Sequence, residues 1–141
     1  MLSITKIQRK KLTNRFISEL GKQKNIINIT CVGSFIDKND LDRINDIDLI
    51  VITNKLNKNN FNQIVNKIKK IKLKDIISKK NKLYVNSTFG PLKFNINKND
   101  LVIHLMIYDI ESHINHCTKS PFTVFDWERS KPIFGLKLRE I

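Results

Sequence analysis

Glycine and proline are scarce in this chain, four and three among 141 residues, which excludes fibrous repeats and Gly/Pro-rich linkers. Cysteine is almost missing. Cys31 and Cys117 lie far apart, forming neither a disulfide framework nor a zinc pattern. Each reads as a small buried apolar residue in a reducing compartment. Long hydrophobic runs are also absent: the longest, "LVIHLMIY", is too short to span a bilayer. The opening "MLSITKIQRKK" carries charges where a signal peptide needs an apolar core. The expectation is a cytoplasmic chain with no membrane attachment.

Acidic residues are few, 13 against 26 Lys and Arg, for a net charge of +13. That balance invites a nucleic-acid reading. Lys, Asn and Ile crowd the sequence while Ala, Gly and Arg are rare, which a strongly AT-rich genome imposes on any protein. Charge alone assigns no partner. The length suits one domain over residues 1–141, large enough to bury a core without staples.

The hydrophobic pattern predicts an α/β (α+β) domain with a mixed sheet flanked by helices. Leu12, Phe16 and Leu20 recur at helical spacing from about Ser3 to Leu20, with Gly21 as C-cap. "NIINITCV" and Ile47 to Thr53 read as buried strands. Ile64, Ile68, Ile71 and Ile76 predict one or two helices over the sheet. The lysines of that region fit a solvated helix face or a polyanion-facing patch. "KLYVNST", the turn "FGP" and "LKFNINKND" predict a hairpin, and "LVIHLMIY" a third, central strand. "DIESHINHC" predicts a short helix capped by Asp109, and Ser120-Pro121 opens another. "PIFGLKLREI" closes the chain as a loop or edge segment. Trp127, Phe122 and Phe125 fit a core better than a base-stacking platform.

The acidic residues gather where lysine does not. "CVGSFIDKNDLDRINDIDLIVI" ends one strand at Gly33-Ser34 and opens the next with Asp46 and Asp48. Alternate strand residues share a face, so these two carboxylates stand about 6–7 Å apart. Unpaired, they repel each other and resist desolvation. A pair of Mg²⁺ ions, with Mn²⁺ the alternative, suits such oxygen ligands. If the strands run antiparallel, Gly33-Ser34 arrives at the same end, where backbone N–H groups and the Ser34 hydroxyl can hold phosphate oxygens. The unit reads as a nucleoside-triphosphate site.

An apolar strand, Gly-Ser, about a dozen residues and then Asp-Ile-Asp-Leu resembles the signature of the nucleotidyltransferase superfamily, with its DNA polymerase β-like fold, especially its small stand-alone members. The closing "SPFTVFDWERSKPIFGLKL" is similar to their last helix. The resemblance implies transfer of a nucleoside monophosphate from an NTP such as ATP to an acceptor hydroxyl. Asp46 and Asp48 would be catalytic and ligate both metals, and Gly33 and Ser34 would bind the outer phosphates. The family also carries a third carboxylate on the neighbouring strand, whose only polar interior residue here is His104. Three readings stand open: His104 replaces it as neutral ligand or base, Asp100 or Asp109 swings in, or the ligand and catalysis are lost. The second glycine that small members place after Gly-Ser is missing from "GSFID". A protein partner or homo-oligomer fits such a chain. The acceptor stays open among tRNA ends, protein hydroxyls and small molecules. A catalytically silent nucleotide binder and a basic nucleic-acid module are the alternatives. His113, His116 and Cys117 in "HINHC" lack the second pair a zinc site needs.

Overall fold

Thr5 sets where the chain first becomes helical. Its hydroxyl accepts the Gln8 N–H at 3.1 Å while Gln8 Oε1 accepts the Thr5 N–H at 3.0 Å, a capping box. Helix α1 therefore spans Lys6–Leu20 and starts later than the hydrophobic spacing suggests. The computed structural model describes residues 5–32, 46–73, 82–87, 100–119, 132 and 134–135. Within them follow β1 (Ile26–Val32), β2 (Asp46–Thr53), α2 (Lys58–Lys69), β3 (Leu83–Asn86), β4 (Leu101–Asp109), α3 (Ile110–Lys119) and β5 (Phe134–Gly135).

The architecture is mixed α+β. Five strands form one sheet in the order β3-β4-β2-β1-β5. β1 is antiparallel to β2 and to β5, while β4 runs parallel to both β2 and β3. "LVIHLMIY" is thus an interior strand, as its unbroken apolar character predicts. "KLYVNST" supplies β3, whereas the expected hairpin turn and second strand lie outside the described residues. So do Ile76, the helix expected from Ser120-Pro121, and Phe122, Phe125 and Trp127.

The pleat sorts β2 into two sets. Ile47, Leu49 and Val51 join Leu12, Phe16 and Leu20 of α1 and Ile64 and Ile68 of α2 in the main core. Ile50 and Ile52 face the other way, against Tyr108. α2 ends at Lys69, so Ile71 is not a helical residue. It is buried nonetheless, with Leu73, in the chain that leaves the helix. α3 contacts β4 and β2 and starts where the Asp109 carboxylate accepts the Ser112 N–H at 2.8 Å. Asp109 is the cap the sequence predicts. Among the described residues, no helix is long and apolar enough to cross a membrane.

Candidate functional site

Because β2 sends its odd residues into the main core, position 48 belongs to the opposite face, in line with Ile50 and Ile52. β4 alternates the same way, burying Leu101, Ile103 and Leu105 in the main core. His104 therefore shares a face with Asp48. The parallel register makes them direct partners, on strands about 4.8 Å apart.

The row continues on both sides. On β3, Asn86 pairs with His104, and its Nδ2 lies 3.3 Å from His104 Nδ1. On β1, the last residue, Val32, pairs with Asp48. Four neighbouring strands thus contribute Asn86, His104, Asp48 and Val32 in order. β1 and β2 are antiparallel, as the site requires, and β1 finishes against Asp48. Gly33 and Ser34, which come next in the chain, lie outside the described residues, as do Arg43 and the side chain of Asp46.

No family model, curated protein or solved structure matches this chain.

Asn86 was missed by sequence reasoning. The signal for it was weak, a polar residue ending the short apolar run "LYV", with nothing to say that the register would set it beside His104. If the ring is neutral and the Asn86 amide nitrogen faces it, Nδ1 accepts and Nε2 carries the proton; the opposite amide orientation reverses both. The first arrangement makes Nε2 a hydrogen-bond donor, suited to a carboxylate or phosphate oxygen.

Neither flanking carboxylate takes the third position in this structure. Asp100 is buried and accepts the backbone N–H of Lys82 at 3.0 Å. Asp109 closes the opposite end of β4, paired with Thr53, five residues and roughly 16 Å along the strand from His104. The Ser112 backbone N–H and then its hydroxyl hold the Asp109 carboxyl below its usual range. Both acids already have structural tasks.

Behind the row, on the main-core side, burial pushes the Cys31 thiol up to about 12, and the nearby Asp48 charge adds to the shift. Cys31 is a protonated core residue, as its lone position in the sequence suggests. His113 is buried on α3. Among the described residues no three His, Cys, Asp or Glu side chains gather to hold a metal ion. The Asp48 carboxylate fits a hard cation by chemistry, whereas the His104 nitrogen fits one poorly. A small cavity of about 70 Å³ opens beside the row, with Asn86, Ser87, His104 and Met106 among its walls.

Proposed function

We propose that this chain transfers a nucleoside monophosphate from an NTP to an acceptor hydroxyl. The pairing of Asp48 with His104 on one side and with the end of β1 on the other carries the reading. It brings an acidic strand start and the approach to Gly33-Ser34 to one end of the sheet. In this reading Asp46 and Asp48 hold Mg²⁺, and Gly33 and Ser34 bind the outer phosphates. The metal supplies charge neutralisation for the leaving pyrophosphate. The acceptor oxygen bonds to the α-phosphorus, the bond to the bridging oxygen breaks, and the acceptor proton passes to solvent. The chain's own work is positioning. His104 donates a ring N–H to a phosphate oxygen or to Asp48.

The test is calorimetric titration of each NTP with Mg²⁺ into the wild type and Asp48→Asn. Binding is expected only in the wild type. Equal NTP affinity in the variant would sink the reading. Incubation with labelled NTPs and a cell extract then asks which molecule takes the label.

A second reading is favoured by one contact, His104 bonded to Asn86 where a third carboxylate is expected. It is a nucleotide binder without turnover. It predicts NTP binding with no pyrophosphate released, and little effect of His104→Ala on affinity. Loss of measurable turnover in His104→Ala would instead place the chain among the enzymes.

A further inference from the structure

The lysines of this chain are not spread evenly over its described helices. Lys6, Arg9, Lys10 and Lys11 occupy the first two turns of α1, whose first turn holds no acid. A helix N-terminus carries partial positive charge, so cations in its first turn are unfavourable. The only acid of α1, Glu19, sits in its last turn and pairs with Arg15 at 3.3 Å. A second group, Lys67, Lys69, Lys70 and Lys72, closes α2 and the residues after it, again with no acid among them.

The topology brings the two groups together. Five residues turn the chain from α1 back into β1, so α1 begins over the end of the sheet where β1 finishes. A short turn likewise reverses the chain from β2 into α2, so α2 finishes over the end where β2 begins. That is one and the same end, since Val32 pairs with Asp48. The bond between Gln23 Nε2 and Gln63 Oε1 at 3.3 Å fixes the converse, the end of α1 beside the early turns of α2. Lys82, exposed just before β3, adds a cation at the Asp48 end.

We infer that this cationic end, built by the start of α1 and the finish of α2, docks the phosphate backbone of a single-stranded nucleic acid. A strand carries a phosphate at every residue, so it can engage cations on both helices at once. A strand also ends in a free hydroxyl, which makes it a fitting acceptor for the reaction proposed above. That last step rests on the nucleotidyl-transfer reading, whereas the docking itself does not. Among the described residues, the opposite end carries four exposed lysines, Lys22, Lys24, Lys55 and Lys58, against nine cations here.

The test is fluorescence anisotropy of labelled single-stranded RNA and DNA oligonucleotides of mixed sequence, with neither NTP nor Mg²⁺ present, across a salt series. Three proteins are compared: the wild type, Lys10→Gln/Lys69→Gln at the proposed surface, and Lys22→Gln/Lys24→Gln at the far end of α1. All four lysines are exposed, and thermal melting checks that the variants fold. The expected result is strand binding whose logarithmic salt slope becomes shallower by about 1.4 in the first variant, two phosphates at about 0.7 each. The far-end pair should keep the wild-type slope. Equal losses in both variants, binding to neither oligonucleotide, or tighter binding to anionic lipid vesicles would overturn the assignment. NTP titration of Lys10→Gln/Lys69→Gln separates the two proposals. Retained NTP affinity with weakened strand binding in that variant supports the surface, and wild-type strand binding without any NTP affinity leaves the surface standing while the active-site reading falls.

Discussion

Asp48 and His104 are direct register partners on two parallel strands, and His104 in turn pairs with Asn86 on the strand beyond. A half-buried carboxylate and an imidazole thus sit side by side with an amide behind the ring. The amide lies within hydrogen-bond reach of the ring and is placed to hold its orientation. In ¹⁵N NMR of the neutral ring, His104 should show an unprotonated Nδ1 and a protonated Nε2. Under the nucleotidyl-transfer proposal, Asn86→Ala should mix the tautomers and lower pyrophosphate release about tenfold, with NTP affinity and melting temperature less changed. A protonated Nδ1 in the wild type would reverse the assigned direction of the contact.

Cys31 makes the folded state sensitive to alkali. Its thiol ionises near 12 when buried, against 9.0 in a model peptide. The folded value is raised, so the contribution is fully present below about 9 and is lost as pH rises toward 12. Urea unfolding should therefore show stability falling from pH 9 upward, and Cys31→Ala should fall less steeply. An aromatic disulfide reagent should leave Cys31 untouched in native protein and modify it in urea. Rapid modification of the native state would contradict the burial.

Periodicity was enough to read the strands and the helices over them, because the apolar faces of β1, β2, β4, α1 and α2 follow their own repeats without interruption. The family resemblance, not periodicity, put His104 on the strand beside the acidic strand start, and the parallel register pairs it with Asp48. Asn86 was not legible, because a parallel register depends on the connection between β3 and β4 and not on local pattern. The late start of α1 escaped for a similar reason: a capping box is a reciprocal bond that outweighs the weak propensity of Ser3 and Ile4. The gathering of cations was visible only as a count. Which end they occupy follows from helix direction, a property of the assembled sheet.

Asp109 couples the end of β4 to the start of α3. Its carboxylate accepts the Ser112 N–H at 2.8 Å and the Ser112 hydroxyl at 2.7 Å, while Ser112 Oγ accepts the Asp109 N–H at 3.0 Å. Removing the cap with Asp109→Ala should lower stability by about 1 kcal/mol at neutral pH. The folded carboxyl titrates below its ordinary value, so this contribution is present above about 3.9 and is lost as pH falls through the folded value. The gap between wild type and variant in urea midpoint should close in acid. A gap that persists after protonation would mean that packing, and not the charged cap, is responsible.

Gly135 is held at φ +81° where β5 pairs with β1, and a Cβ there would stand 2.0 Å from the Ile27 carbonyl oxygen. Both constraints act on backbone, so no side-chain rotation relieves them. The left-handed dihedral alone costs about 1–2 kcal/mol for alanine, and separating β5 from β1 adds the lost pairing of Asn28 with Gly135 and Ile29 with Phe134. Gly135→Ala should therefore destabilise the protein by at least that amount. Hydrogen exchange should localise the damage, with faster exchange on the β5 side of β1 and unchanged protection where β2 meets β4. Phe134→Ala, which removes packing but strains nothing, serves as the comparison. Wild-type stability and exchange in Gly135→Ala would show that the closing Phe-Gly segment does not hold this edge.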